Sequence, residues 1–236
     1  MKAKIRIRGA IVPNNHKWIY DYFEMDATCP RDIETQLEAA KGGEVEVEIN
    51  SPGGDVFSGA DIYTKLKAYE GKTIGKIIGV AASSASVAAM GVDELYISPA
   101  AQIMIHNVWS YAAGDYNDFE HEAEVLKGWS KSLANTYMMK TGMSQEEIMA
   151  LMDKETWLTA QDAVKYKFCD GILFEDEMQL AAAVKSALLP PSVIEKMMAQ
   201  KQADLSDPQP TEEPRQVPVD LYNKLYSNLE RRARIC

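Results

Sequence analysis

The chain has 236 residues, enough for one sizeable core plus an appendage, and its composition is that of a soluble globular protein. Thirty-five acidic against 25 basic residues give a net charge of −10, which argues against sequence-independent binding to nucleic acid. The longest run without a charged residue or a histidine, Ile77 to Val92, is too short and too rich in serine and glycine to span a bilayer, so no membrane association is expected.

Met1 to Arg8 carries four basic residues, yet KIRIRGAIV alternates like a strand and no apolar signal-peptide core follows. Cys29, Cys169 and Cys236 are odd in number and share no CxxC spacing, which speaks against a disulfide framework or a zinc site. A cytoplasmic protein without a cofactor is expected.

Lys4 to Val12 reads as the first strand, ended by Pro13 and the turn-prone Asn14 and Asn15. Asp32 to Ala40 follows as a helix, closed by Gly42 and Gly43. EVEVEIN then sets Val45, Val47 and Ile49 on one face and Glu44, Glu46 and Glu48 on the other, a strand with one solvated face. It runs into Asn50-Ser51-Pro52-Gly53-Gly54-Asp55. There proline fixes one dihedral, and two glycines let the backbone take positive φ and present an N–H to a ligand. A helix from Phe57 to Tyr69 buries Ile62 and Leu66.

Ile74 to Val80 is apolar, β-branched and bounded by glycines, as in a buried strand of a parallel sheet. It feeds GVAASSASVAAMG, Gly79 to Gly91, a tight turn into a short helix of alanine and serine. Unpaired backbone N–H groups and the helix dipole converge on such a turn, so Ser83 in its first turn is well placed as a nucleophile. Ser84 and Ser86 lie further in, where small residues let helices pack closely. Close packing is also the commoner reason for a run of alanine and serine, so this stretch alone leaves both readings open.

Leu95 to Ser98 and Gln102 to Val108 are two short strands divided by Pro99, and His106 falls near the end of the second, on the face opposite Ile103 and Ile105. Asp118 to Tyr137 is a long amphipathic helix entered through Ala112-Ala113-Gly114. Ser144 with Glu147 forms a capping box for a helix to Met152, and Thr159 with Asp162 starts another. Val164 to Phe174 completes an α/β domain of residues 1–186. Residues 187–218, with Pro190-Pro191 and four prolines between Asp204 and Pro218, read as a linker. Residues 219–236 regain helical periodicity through Tyr222, Leu225, Tyr226 and Leu229, suiting a tethered helix that binds a partner.

Amide hydrolysis by a serine needs a base, a group that orients it, and donors for the developing oxyanion. Three histidines are available as the base. His16 sits in a polar turn and His121 among glutamates on a solvated helix, which leaves His106. The acid cannot be chosen in this way among 35 carboxylates.

INSPGGDVFSG, GVAASSASVAAMG, IMIHN and TWLTAQDAVKYKFCDGI, in this order, resemble the motif set of the ClpP-type serine peptidases, the proteolytic subunit family of the Clp protease. The likeness spans roughly residues 4 to 176 and is nearer to the phage and prophage branch, which includes ClpP-like prohead maturation proteases. It implies the ClpP/crotonase-like fold of repeated β-β-α units with a protruding handle helix, over Val108 to Tyr137. It implies Ser83 as nucleophile, His106 as general base, and Gly54 and Ser84 as oxyanion-hole donors. The position of the family's acid, usually aspartate, is occupied by Glu155, and Asp153 stands two residues away as a substitute.

The resemblance further implies a homo-oligomeric ring acting on peptide or protein substrates, with phage capsid or scaffold proteins among them. This chain begins almost at its first strand, without the segment that helps dock an ATPase in the family, so no such partner is expected. Three other readings stand beside it: a crotonase-type acyl-CoA enzyme with a related oxyanion hole, a serine–lysine peptidase, and an inactive structural member that grips a capsid partner through its tail.

Overall fold

The computed structural model describes residues 3–175 and 191–206, which fall in two separate units. In the first, one sheet has the strand order β2-β1-β3-β4-β5-β8, with β6 paired to β4 and β7 paired to β6. The strands are β1 (Ala3–Ile11), β2 (Ala27–Thr28), β3 (Val45–Gly54), β4 (Thr73–Ala82), β5 (Glu94–Ile97), β6 (Gln102–Ile105), β7 (Thr156–Leu158) and β8 (Gly171–Ile172). Every pairing is parallel except β6 with β7. Parallel neighbours need crossovers, supplied by α2 (Pro30–Ala40) before β3, α3 (Val56–Lys67) before β4 and α4 (Ser84–Ala89) before β5. With α1 (Lys17–Tyr22), α5 (Tyr116–Thr141), α6 (Gln145–Met152) and α7 (Ala160–Lys165), this is the mixed α/β architecture that the alternating patterns predict.

Period-two alternation turns Ile5, Ile7, Val45, Val47, Ile49 and Ile77 to the core, where Ile33 and Leu37 of α2 and Ile62 and Leu66 of α3 pack with them. Each such side chain contributes roughly 1.5–3 kcal/mol by its removal from water. The opposite face of β3 is not simply solvated, as its glutamates alone suggest. Parallel register sets Lys4 and Arg6 of β1 against Glu46 and Glu48, and Lys76 of β4 against Glu48. Glu48 is buried, bonded to Arg8 and 2.6 Å from Lys4, while Lys76 lies 2.6 Å from Glu46. Neutralisation across three strands lets carboxylates sit where water is scarce.

Local chemistry accounts for the helix starts. Ser144 and Glu147 form the expected capping box, and Thr159 accepts from the Asp162 N–H. The long helix starts two residues earlier than its periodicity predicts because Asp115 and Asp118 cap it reciprocally. Its first half buries no side chain, and Ser130, Ala134, Tyr137 and Thr141 then form one buried row at helical spacing.

Other differences have equally local causes. α1, β2, β7 and β8 are too short for periodicity to reveal. β6 stops at Ile105 rather than Val108, whose N–H turns aside to Ser130 Oγ. In the second unit, α8 (Pro191–Ser206) is a helix inside the stretch read as linker. Pro191 fits the first helical position, and no proline or glycine interrupts the residues that follow it to Ser206. The rest of that linker, the tail helix predicted over 219–236 and the domain boundary at residue 186 lie outside the described residues.

α5 meets α4 through one polar contact. Ser86 Oγ donates to the Ser83 carbonyl at 2.6 Å, so the fully buried Tyr137 hydroxyl, 2.7 Å away, is the donor to Ser86 Oγ. Burial pushes the Tyr137 pKa well above its ordinary value, which keeps this donor protonated.

Two outcomes follow from these contacts. Ser86→Ala strands the Tyr137 hydroxyl without a partner and should lower stability by about 1–3 kcal/mol, read by urea denaturation, whereas Ser86→Ala with Tyr137→Phe should recover part of it. The Glu48 carboxyl, held down by Lys4 and Arg8 from an ordinary 4.5 to about 2, binds its proton more weakly in the folded state. Its stabilising contribution is therefore complete above pH 4.5 and lost as the pH falls toward 2. Melting temperatures of wild type and Glu48→Gln should converge across that window, and a constant gap would refute the assignment.

Candidate active site

The sheet register brings the sequence motifs together. β3 and β4 run parallel with Ser51 beside Ala81, so the Ser-Pro-Gly-Gly turn and the Ser83 turn leave at the same sheet edge. The carboxyl ends of parallel strands are where such sheets ordinarily bind ligands. β6 lies along β4 with Met104 beside Ala82, and the Ser83 N–H donates to the Met104 carbonyl at 2.9 Å. His106, one residue past the end of β6, then lies with Nε2 2.8 Å from Ser83 Oγ.

Ser83 itself takes φ 55° and ψ −128°, a backbone region that non-glycine residues rarely occupy. Besides the Met104 contact, its carbonyl accepts from Ser86 N–H at 2.9 Å and from Ser86 Oγ. These bonds over-determine the conformation and turn the side chain outward between strand and helix. Ser84, the first residue of α4, has a backbone N–H without an acceptor inside the helix. α4 packs closely on α3: a Cβ added to Gly59 would lie 2.6 Å from Ser84 Cβ. Close packing thus accounts for the buried Ser84 and Ser86, while Ser83 stays half-buried at the turn.

The two glycines have distinct reasons. Gly53, at φ 89°, lies so close to the serine turn that a Cβ would stand 2.5 Å from the Ala82 carbonyl and 2.9 Å from Ser83 Cβ. At Gly54, φ is 151° and a Cβ would come within 2.3 Å of the Ile11 carbonyl. No side chain fits at either position.

The carboxylates are arranged less simply. β7 pairs antiparallel with β6 in a register of Ile105 with Thr156, so Glu155 comes opposite His106. Glu155 Oε2 is 4.0 Å from His106 Nδ1, beyond hydrogen-bond distance. Asp153 makes no ion pair with the imidazole; its Oδ1 accepts from Asn107 Nδ2 at 2.7 Å. His16 and His121 are exposed. Among the described residues no group of His, Cys, Asp and Glu could hold a metal ion, and no helix is long and apolar enough to cross a membrane.

A cleft of about 600 Å³ opens over Ser83 and His106. Sequence reasoning missed much of its lining. Phe57 and Trp129 meet edge to face across it, 4.8 Å between ring centres, with Trp109 beside them. Among the described residues the two buried side-chain oxygens without a hydrogen-bond partner, Ser84 Oγ and Asn107 Oδ1, also belong to its lining. Phe57 and Trp129 were signalled in the sequence as large apolar residues on helix turns outside the buried rows, whereas Trp109 lies in an irregular segment without such a signal.

Comparison with known proteins agrees with this geometry. The Clp protease family matches residues 24–176. The chain is 34% identical over 131 residues to the ATP-dependent Clp protease proteolytic subunit 1 of Chlamydia abortus, covering 53% of this chain and 68% of that protein. It is 31% identical over 136 residues to an ATP-dependent Clp protease proteolytic subunit of Bacteroides fragilis, covering 57% and 66%. The family match covers more than half of this chain, and the chain belongs to the Clp protease family.

Proposed function

We propose that this protein is a serine endopeptidase in which Ser83 is the nucleophile and His106 the general base. The observation that carries the reading is the 2.8 Å contact between Ser83 Oγ and His106 Nε2, on a backbone turn strained in a way that packing alone does not require. With the imidazole proton on Nδ1, Nε2 accepts the Ser83 hydroxyl proton as Oγ bonds to the substrate carbonyl carbon. The carbonyl π electrons move to oxygen, where the N–H groups of Gly54 and Ser84 receive the charge, each worth roughly 3 kcal/mol. His106 then gives its Nε2 proton to the departing amine as the C–N bond breaks, leaving a Ser83 ester that water cleaves by the same steps in reverse. Glu155 would steady the imidazolium through Nδ1. Asp153, engaged by Asn107, serves this role less well than the sequence alone allows.

A histidine beside the serine favours this reading over a crotonase-type acyl-CoA enzyme and over a serine–lysine pair. The 4.0 Å gap between Glu155 and His106 supports a second reading, a scaffold-binding protein without peptidase activity. We also infer a homo-oligomeric ring in the cytoplasm that processes phage head or scaffold proteins, supported by the motif likeness to the phage and prophage branch. A monomer in mass photometry would remove the ring, and a scaffold protein left intact by active enzyme would remove that substrate.

Fluorophosphonate treatment followed by intact-mass spectrometry is the direct test. One adduct on Ser83, absent from Ser83→Ala and from His106→Ala, is expected, and no adduct on correctly folded wild type would establish the second reading. Ser83→Ala should lower peptide hydrolysis on the order of 10⁴-fold or more, and Glu155→Gln on the order of 10²-fold, measured as kcat/KM.

A further inference from the structure

Trp157 is a large apolar residue left 49% exposed, outside the lining of the cleft. Its position in β7 is nevertheless tied to the active site. The register sets Trp157 opposite Met104 and Thr156 opposite Ile105, so Glu155, just before β7, comes near His106, just after β6. The indole N–H is a donor only and requires an acceptor. That acceptor is Glu155 Oε1, at 3.4 Å, while the other carboxylate oxygen, Oε2, faces His106 Nδ1.

Glu155 has one more rotatable bond than aspartate, and its side chain is 60% exposed. A free carboxylate there would distribute over several rotamers, most of them turned away from the imidazole. Two restraints oppose this. The backbone at Glu155 is left-handed, with φ 47°, which fixes the direction in which the side chain leaves the chain. The indole then occupies one oxygen and leaves the other turned to the histidine.

We propose that Trp157 is a positioning residue for the catalytic acid: its indole N–H holds Glu155 Oε1 so that Oε2 stays directed at His106 Nδ1, as the added methylene of glutamate requires. The proposal rests on the peptidase reading above. Trp157 is not among the residues that line the cleft, so its indole N–H acts on the site through Glu155.

The test is steady-state hydrolysis of a fluorogenic peptide by four proteins: wild type, Trp157→Phe, Glu155→Asp and the double variant. A fifth carries benzothienylalanine at position 157, the same shape with sulfur in place of the indole N–H. Trp157→Phe and the benzothienyl protein should each lose about five- to ten-fold in kcat, the size expected for one hydrogen bond to a charged group, with KM within about two-fold. In the Glu155→Asp background, where the shorter carboxylate draws back from the indole, the Trp157→Phe loss should shrink below about two-fold. An unchanged or raised kcat in Trp157→Phe would overturn the proposal, as would an equal loss in both backgrounds. Should Trp157→Phe fold poorly, the benzothienyl protein decides, and full activity there sinks the idea. Wild type with neither turnover nor a Ser83 adduct would instead overturn the peptidase reading, and this inference with it.

Discussion

The backbone hydrogen bond from the Ser83 N–H to the Met104 carbonyl joins the end of β4 to β6 at the point where both strands give out. Everything at the site depends on that junction. It fixes the serine turn against the strand that leads into His106, so Ser83 and His106 approach each other through main-chain geometry rather than through long side chains. Gly53 closes the third side, near enough to the turn that a single added carbon would collide with it. The fourth side is β7, whose antiparallel pairing with β6 delivers Glu155. Four segments far apart in sequence are thereby held by the ladder of one sheet, the preorganisation that the proposed peptidase chemistry would demand.

The sheet divides its labour along the strands. Toward the beginnings of β1, β3 and β4 the face away from the helices carries Lys4, Arg8, Glu46, Glu48 and Lys76 in compensating pairs. At their far ends the strands change character, to glycines, alanines and serine, and the backbone rather than the side chains shapes the surface. Polar neutralisation and apolar packing secure the register at one end so that the other can depart from regular geometry. The positive φ values of Gly53, Gly54 and Ser83 all occur there.

How much of this was legible follows from the range of each signal. Alternation in EVEVEIN and the β-branched run before Gly79 disclosed the central strands, because a buried face imposes its period on every second residue. Capping residues located α6 and α7 to within a residue, since a cap is chemistry over three positions. The motifs named Ser83, His106 and Glu155, and the structure brings the first two into contact. What no pattern could disclose is register. The partnering of Glu46 with Lys76 and of Asp153 with Asn107 arises only when strands and loops are laid side by side, and neither leaves a periodicity in the chain. Solvation of the glutamate face was misjudged for that reason: one strand shows its own charges but not those of its neighbours.

Ser83 also has a consequence for how such a protein can change. A residue with a Cβ is held there at φ 55°, a conformation that costs on the order of 1–3 kcal/mol and that glycine would adopt almost freely. Selection for robustness alone would therefore favour glycine at position 83, while the proposed chemistry would hold the serine in place. The two pressures oppose each other at one side chain. A lineage of this fold released from catalysis would gain stability by its first step at this position, so loss of activity and improvement of the fold can arrive together.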